Sequence, residues 1–140
     1  MSTVDNHRQD NDPSQTDGED ALQNGFLFIG ELAKLTGTDP KTIRLYERSE
    51  LMSPLRHGRF RTYLASDMRR LKNVLTLRRL GVPITQIRDI LALLSPDEDV
   101  LASDKAVSLL RQHLDTLCTR QAEVTQQIER TSSALSSLVA

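Results

Sequence analysis

The stretch DPKTIRLYER, residues 39–48, decides how this sequence folds. The Asp39 carboxylate can accept hydrogen bonds from the free amides of a first helical turn, and Pro40 loses nothing at the first helical position. In the helix that these two residues start, Ile43 and Tyr46 would share one side and point toward a core. The stretch therefore predicts an amphipathic helix that begins at Pro40.

The other side of this helix, which we place at residues 40–48, is mostly basic. Its stripe repeats at spacings of three, four and seven and consists of Lys41, Arg44, Leu45 and Arg48. An arginine can donate a bidentate pair of hydrogen bonds to a guanine edge or hold a phosphate. A helix with such a face suits the major groove of DNA, so we interpret it as a recognition helix.

A shorter amphipathic helix precedes it. Ile29, Leu32 and Ala33 keep the i, i+3, i+4 spacing of one helical face, and Gly37 ends the pattern. Two short helices about ten residues apart, joined by a turn that contains glycine, make a helix-turn-helix. The two patterns together predict this motif.

The helical pattern breaks after the recognition helix. Ser53-Pro54 and His57-Gly58 are turn signals, and residues 55–63 are long enough for a small hairpin. The hairpin interleaves basic and aromatic residues, which are Arg56, Arg59, Phe60, Arg61 and Tyr63. We interpret it as a basic wing whose aromatic side chains anchor it to the domain, with His57 at its tip.

Two further helices are expected after the wing. Ser66 is predicted to cap the first, with Asp67 near its positive end and Gly81 as its stop. Its buried side would consist of Met68, Leu71, Val74 and Leu75. Thr85 is predicted to cap the second helix. Its apolar side would consist of Ile87, Ile90, Leu91 and Leu94.

A heptad seam follows and is the clearest periodic signal in the chain. Ten positions recur at alternating steps of three and four, and two of them, Gln121 and Thr131, are polar. The eight apolar ones are the predicted dimerisation residues, which are Val107, Leu110, Leu114, Leu117, Val124, Ile128, Leu135 and Leu138. A helix over residues 104–139 would be roughly 54 Å long. The shorter helices cannot cover such a seam, so we expect a second copy of the same helix as its partner. The alternative is one helix folded back on its own domain.

The net charge of −1 conceals three blocks of different sign. Residues 1–24 carry a net charge of −5, residues 25–96 carry +7 and residues 97–140 carry −3. A basic block between acidic flanks favours a module that binds a polyanion, although charge alone is equally compatible with a well-solvated surface. The acidic start is poor in apolar residues, so we predict a disordered tail over residues 1–25.

The sequence also argues against several protein classes. No apolar run approaches the roughly 18 residues of a membrane span and the N-terminus lacks the pattern of a signal peptide, so we expect a soluble cytoplasmic protein. Cys118 is the single cysteine, and His113 lies about 140° away around the helix, so these two cannot share a metal ion within one chain. We expect Cys118 to be a small, partly buried filler beside the seam. Because no phosphate-binding glycine loop, nucleophile motif or paired-carboxylate arrangement is present, neither an enzyme nor a cofactor is expected.

The order of these elements resembles a known family. Five pieces carry the resemblance to the MerR family of bacterial transcription regulators: IGELAKLTG at 29–37, TIRLYE at 42–47, RTY at 61–63, Asp67-Met68-x-x-Leu71, and Leu80-Gly81-x-x-Ile84-x-x-Ile87. The resemblance implies a mainly helical protein, in which a winged helix-turn-helix domain and two further helices precede a long helix that pairs as an antiparallel coiled coil. It divides the chain into a tail at 1–25, a DNA-binding domain at 26–94, a linker at 95–104 and a dimerisation helix at 105–140.

The resemblance also implies how such a protein acts. Dimers of this family bind pseudo-palindromic promoter DNA, and many bend and untwist it for RNA polymerase. Lys41 and Arg44 match major-groove residues, while Arg56 and Arg61 match wing positions that hold phosphate. The expected DNA-binding residues are Lys41, Thr42, Arg44, Leu45, Tyr46, Arg48, Arg56, Arg59, Arg61 and Tyr63.

The sequence departs from the family pattern in places. Glu50 and Arg59 stand where the family usually has glycine, and residues 54–63 form a segment about two residues shorter than in many members. Metal-sensing and drug-sensing members carry a ligand-binding segment after the long helix, and metal sensors use paired cysteines. Here the sequence ends at Ala140 and contains one cysteine, so we expect a member without a built-in ligand domain.

These patterns predict a transcription regulator that binds double-stranded DNA as a homodimer. It would act as a repressor, or as an activator that another component controls, with RNA polymerase at the promoter as a further partner and no membrane partner. The alternative is a DNA-anchoring or nucleoid-organising protein whose coiled coil recruits another protein. A purely structural coiled-coil adaptor would not explain the +7 block.

Overall fold

A computed structural model describes residues 25–57 and 59–139. The predicted tail, residues 1–25, lies outside the described residues except for Gly25. The chain divides into two compact units at the step from Leu91 to Ala92, and we describe each unit by itself.

The N-terminal unit combines helices with a small antiparallel sheet. Its elements are β1 (Leu27–Phe28), α1 (Ile29–Thr36), α2 (Pro40–Arg48), β2 (Leu55–His57), β3 (Phe60–Tyr63), α3 (Ala65–Arg79) and α4 (Ile84–Leu91). The strands lie in the order β1-β3-β2, so the wing hairpin gains a third strand from the start of the unit. Leu27 pairs with Tyr63 across β1 and β3, and Arg56 pairs with Arg61 across the hairpin. The predicted helix-turn-helix, wing and two following helices are confirmed.

An apolar core fixes these elements together. Its largest fully buried side chains are Tyr63, Leu27, Leu32, Ile43, Leu51, Leu71, Leu77, Ile87, Val74 and Val82. Each large apolar side chain that leaves water contributes about 1.5–3 kcal/mol before entropy is counted. On α2, Ile43 and Tyr46 are both buried, as the sequence pattern predicts. Packing against the core therefore determines which face of α2 stays exposed to solvent.

The turn between α1 and α2 has the chemistry that the sequence predicts. α1 ends at Thr36 and is capped by Gly37, whose φ of 73° lies in the left-handed region that glycine adopts without strain. Two residues later, Oδ1 of Asp39 accepts a 2.8 Å hydrogen bond from the amide of Thr42. Pro40 is the first residue of α2, so both the predicted cap and the predicted start are confirmed.

The end of α2 explains what a glycine would contribute at position 50. The amide of Leu51 donates to the carbonyl of Tyr46 over 2.8 Å, and the amide of Glu50 donates to the carbonyl of Glu47 over 3.0 Å. This pair of bonds is a Schellman motif, which requires a left-handed residue just after the helix. Glu50 occupies that position with a φ of 62°. A side chain there costs about 1–2 kcal/mol relative to a right-handed conformation.

The predicted cap of α3 is wrong. The helix begins at Ala65 with Leu64 as its extended cap residue, so Ser66 lies inside the first turn. The Asp67 side chain reaches back and accepts a 2.8 Å hydrogen bond from the amide of Leu64. Because an acidic group three residues into a helix binds an amide before the helix, it orders this end without a serine cap. Gly81, with a φ of 77°, follows the end of α3 as predicted.

The predicted cap of α4 is wrong for a similar reason. The helix begins at Ile84, so Thr85 lies within it. The carbonyl of Pro83 accepts hydrogen bonds from the amides of Gln86 and Ile87, each over 3.0 Å. Proline has a helix-compatible φ and no amide to satisfy, so it starts the turn before threonine can.

The buried sides of α3 and α4 agree with the predictions in most positions. Leu71 and Val74 are fully buried on α3, whereas Met68 and Leu75 are only partly buried and Leu77 joins the core. On α4 the buried residues are Ile87, Ile90 and Leu91, whereas Leu94 lies beyond the end of the helix and is only partly buried.

The C-terminal unit consists of a short 3-10 helix and one long helix. The 3-10 helix, Val100–Ala102, lies within the predicted linker, and α5 spans Asp104–Val139. Ser103 caps α5, since its Oγ accepts a 3.3 Å hydrogen bond from the amide of Ala106. The length of α5, 36 residues, is the length that the heptad pattern predicts. No helix in the described part of the chain is both long and apolar enough to cross a membrane.

The apolar seam of α5 is largely exposed in the single chain. Leu114, Ile128 and Leu138 are 58%, 61% and 81% exposed, whereas Val107 and Leu110 are partly buried. The remaining exposed apolar residues of the seam are Leu117, Val124 and Leu135. Cys118 is exposed as well, so its predicted partial burial is wrong for a single chain, in which the seam beside it also faces solvent.

Candidate nucleic-acid interface

Helix α2 presents the predicted basic stripe to solvent. Its exposed residues are Lys41, Arg44, Leu45 and Arg48. The buried side chains of Ile43 and Tyr46 lie on the other side of the same helix and hold it against the core. Side chains three and four residues apart on a helix lie one above another, so the four exposed residues form a continuous surface.

The first turn of this helix is held by Asp39. Its two carboxylate oxygens accept hydrogen bonds from the amide of Thr42 at 2.8 Å and from the hydroxyl of Thr42 at 3.1 Å. The hydrogen bond from the Thr42 amide is the main reason why the pKa of the Asp39 carboxyl lies below its usual value. The hydroxyl of Thr42 and Lys41 make smaller contributions in the same direction. An ionised Asp39 therefore fixes the end of α2 that carries Lys41.

The wing is attached to the unit by its aromatic residues. Tyr63, at the end of β3, is fully buried. Phe60 is about half exposed and meets Phe28 edge to face, with ring centroids 5.9 Å apart. Arg59 lies in the exposed turn between β2 and β3. The expected anchoring of the wing by aromatic side chains is confirmed by these contacts.

Glu47 joins the recognition helix to the wing. Its Oε2 accepts a 2.8 Å hydrogen bond from Nε of Arg61, and its Oε1 accepts a hydrogen bond from the hydroxyl of Tyr63. The Glu47 side chain is 10% exposed and that of Arg61 is 29% exposed. Burial raises the pKa of the Tyr63 hydroxyl, and the hydrogen bond to Glu47 and the negative charge of Glu47 raise it further.

An open pocket of about 420 Å³ separates α2 from the wing. Its lining residues are Arg44, Glu47, Arg48, Met52, Ser53, Pro54 and Arg61. Three of these residues are arginines, and two of the three come from the exposed stripe of α2. Guanidinium groups that converge on one opening are suited to bind phosphate oxygens in pairs.

The structure therefore brings together only part of the predicted DNA-binding set. Arg44, Arg48 and Arg61 share the pocket, while Lys41 and Leu45 lie on the exposed stripe outside its lining. The remaining members are Thr42 in the first turn of α2, Arg56 on β2, Arg59 in the wing turn, and the buried residues Tyr46 and Tyr63. Contact with DNA stays a prediction for each of the ten.

Sequence reasoning missed the residues that hold the segment between α2 and the wing. Arg70 donates from Nε to the carbonyl of Leu51, and Arg88 donates from a terminal nitrogen to the carbonyl of Ser49. The partners are 19 and 39 residues apart in sequence. Glu47 is visible in the sequence only as the last residue of the TIRLYE motif. No local pattern marks such pairs, because they meet only once the helices have packed.

Residues 28–94 match the family model for MerR HTH family regulatory proteins, and residues 68–138 match the model for the MerR DNA-binding region. The chain is 34% identical over 110 residues to the HTH-type transcriptional regulator ZntR of Escherichia coli K12, and the match covers 76% of each chain. The chain belongs to the MerR family.

Two further comparisons agree with membership in the MerR family. The heavy metal-dependent transcription regulator 2 of Rhizobium meliloti is 36% identical over 107 residues, which cover 75% of this chain and 71% of the relative. The crystal structure of PbrR691 from Ralstonia metallidurans CH34 in complex with lead(II) matches with a TM-score of 0.58 at 30% identity, covering 73% of this chain and 78% of that one. As a MerR-family member, this chain is a DNA-binding transcription regulator and not an enzyme.

Proposed function

We propose that this MerR-family regulator binds pseudo-palindromic promoter DNA as a homodimer, with α2 in the major groove and the wing on the DNA backbone. The observation that carries the proposal is the pocket between α2 and β3, which Arg44, Arg48 and Arg61 line together. The charge of residues 25–96, a net +7, supports it, since phosphate neutralisation provides much of the affinity for DNA.

The proposed contacts divide between two tasks. Arg44, midway along the exposed stripe, is expected to reach a base edge, with Lys41 beside it and Leu45 placed to meet a thymine methyl group. The residues expected to hold phosphates are Thr42, Arg48, Arg56, Arg59 and Arg61. Tyr46 and Tyr63 would act from the core, where they hold the helix and the wing in register.

The proposed dimer forms through α5. Its exposed seam extends from Leu114 to Leu138, and isolated apolar stripes of this length are a property of coiled-coil partners. We propose a second copy of α5, antiparallel, as the occupant. A homodimer has two-fold symmetry, so its operator should contain two related half-sites separated by whole turns of DNA.

Distortion of the promoter is part of the proposal. Bending a site of this kind costs on the order of 1–6 kcal/mol, which two copies of a basic unit can offset through phosphate contacts. Realigned promoter elements would then be presented to RNA polymerase. A circular-permutation mobility assay measures the bend directly.

Selection of binding sites from a random DNA library, followed by mapping of bound sites across the genome, tests this proposal. The expected result is a palindromic sequence found at a few promoters and protected symmetrically by the protein. Many dispersed sites without a shared palindrome would support the nucleoid-organising alternative instead.

The activity of this regulator could be controlled in two ways. The first, which the sequence favours, is a regulator with no ligand domain within these 140 residues, controlled by its abundance or by a partner. The second is a metal-responsive regulator, because a relative and a structural neighbour are described with heavy metals and lead(II). Among the described residues, no group of three or more His, Cys, Asp or Glu side chains is arranged to hold a metal ion. Cys118 is the single thiol of the sequence and is exposed, so a thiophilic ion held by these residues would contact it.

Transcription and operator binding with added Zn(II), Pb(II) and Hg(II) separate the two candidates. The first candidate predicts changes below about twofold with each ion. A larger response that Cys118→Ser abolishes would establish the second. Cys118→Ser in the absence of metal is the control for effects on dimer formation.

A further inference from the structure

A carboxylate at a DNA-binding surface needs an explanation. Glu47 lines the same pocket as Arg44, Arg48 and Arg61, and its negative charge would oppose an incoming phosphate. The side chain is nevertheless only 10% exposed, and both of its oxygens are occupied by protein donors. Glu47 is therefore held in place by the protein itself before any DNA arrives.

The partners of Glu47 form a chain from the core to the pocket. Tyr63 is fully buried in the core, and its hydroxyl donates a hydrogen bond to Oε1 of Glu47. Oε2 of Glu47 in turn accepts the 2.8 Å bond from Nε of Arg61. The Arg61 side chain remains 29% exposed and lines the pocket.

The chemistry of arginine makes this arrangement directional. A guanidinium group has five N–H donors in a rigid plane, one on Nε and four on the two terminal nitrogens. Once Nε is bound to a fixed carboxylate, the side of the plane that carries the terminal nitrogens is the side left for another anion. A long side chain that is held in advance also loses less entropy when it binds.

We propose that Glu47 is a positioning residue that aims the terminal nitrogens of Arg61 at a DNA phosphate in the pocket. This inference rests on the proposed function, in which Arg61 contacts the DNA backbone. Tyr63 supplies the fixed end of the arrangement. Glu47 itself does not touch the DNA.

The proposal predicts a change in DNA affinity opposite to the change that the charge of Glu47 alone would give. Removing an acidic group beside bound phosphate should strengthen DNA binding if Glu47 acts only through its charge. Loss of a positioning residue should weaken binding, because Arg61 then samples orientations that do not reach the phosphate. Glu47→Gln is the decisive change, since it keeps the shape, removes the charge and replaces the charge-assisted hydrogen bond from Arg61 by a weaker neutral one.

The experiment measures affinity for a random-sequence DNA duplex at several salt concentrations, because phosphate contacts do not depend on sequence. Glu47→Gln is expected to weaken binding about fivefold or more in the wild-type background and to have almost no effect in an Arg61→Ala background. Glu50→Gln, which removes the same charge from an exposed position three residues later, is the matched control and should bind as well as wild type or slightly better. Thermal melts establish that each variant is folded.

A second variant keeps the proposal testable if Glu47→Gln does not fold. Arg61→Lys keeps the charge, but its single ammonium group cannot bind Glu47 and present a separate planar pair of donors to phosphate. It should therefore weaken binding nearly as much as Arg61→Ala. The inference is overturned if Arg61→Lys binds like wild type, or if a folded Glu47→Gln protein binds as tightly as Glu50→Gln. An Arg61→Ala protein with unchanged affinity would instead remove the wing contact, and with it this part of the proposed function.

Discussion

The Nε atom of Arg61 donates a 2.8 Å hydrogen bond to Oε2 of Glu47, so the last strand of the wing and the recognition helix share an ion pair. Arg61→Ala consequently does more than remove a contact with DNA. It also removes one of the two hydrogen bonds described for a mostly buried carboxylate, which destabilises the fold. Binding measurements on this variant need a stability measurement beside them.

Tyr63, the other hydrogen-bond partner of Glu47, makes the stability of the fold depend on pH in the alkaline range. Burial and Glu47 raise the pKa of Tyr63 in the folded state, so this group stabilises the fold fully below its ordinary pKa of about 10 and loses that contribution as the pH rises further. Wild-type stability should therefore fall more steeply above pH ~10 than that of Tyr63→Phe, by up to about 1.4 kcal/mol per pH unit. Urea unfolding of both proteins from neutral to alkaline pH measures the difference. Equal slopes would show that Tyr63 ionises as easily in the fold as in the unfolded chain.

The left-handed backbone at Glu50 predicts a stabilising substitution. Glu50→Gly should be more stable than Glu50→Gln by about 0.5–1 kcal/mol, because glycine avoids the strain of a φ of 62° but loses more entropy on folding. The glutamine variant is the control, since both changes remove the same weak ion pair. In that pair the exposed side chains of Glu50 and Arg88 approach to 3.8 Å. Thermal or urea unfolding at equal protein concentration provides the measurement. A glycine variant no more stable than the glutamine variant would mean that the backbone at this position is not strained.

Sequence alone predicts the helices that are marked by a short local signal or by a repeating pattern of apolar residues. The start of α2 follows from Asp39-Pro40, and the length of α5 follows from a heptad pattern that repeats more than four times. Capping is less predictable where two chemistries compete. Ser66 and Thr85 are sound cap residues, but Asp67 and Pro83 start the same helices one or two residues earlier.

The candidate site is only half predictable for a different reason. The exposed stripe of α2 is visible in the sequence because its spacing is helical. The pocket is not, because Glu47 and Arg61 lie 14 residues apart and meet only after the hairpin has folded back. The resemblance to the MerR family identifies the wing arginine, and the structure adds the carboxylate that binds it.

Dimer formation through α5 predicts a change in molecular mass. Replacing both Leu114 and Leu117 by Asp should give monomers, since each chain would otherwise bury carboxylates in an apolar interface. Gln112→Asp with Gln126→Asp adds the same charge on the opposite face of α5 and should leave the dimer intact. Analytical ultracentrifugation at micromolar concentration measures both. Wild-type protein that sediments as a monomer would rule out the seam as a dimer interface.

The antiparallel arrangement predicts a pattern of cross-links. The seam has its midpoint near residue 122, so an antiparallel pair places Leu110 of one chain opposite Leu135 of the other. In a Cys118→Ser background, a mixture of Leu110→Cys and Leu135→Cys proteins should form a disulfide-linked heterodimer under mild oxidation. Each variant alone should cross-link poorly. Efficient cross-linking of Leu135→Cys to itself would instead establish a parallel pair.

The most direct test of α2 as the recognition helix is the affinity of Arg44→Ala for a selected operator and for a random duplex of equal length. If Arg44 reads a base, the substitution should cost about 1–3 kcal/mol on the operator and much less on the random duplex. Arg130→Ala, which removes the same charge from the exposed surface of α5 away from the seam, is the control and should change neither affinity appreciably. Operator binding by Arg44→Ala that equals wild-type binding would contradict the assignment of α2 as the helix that reads DNA.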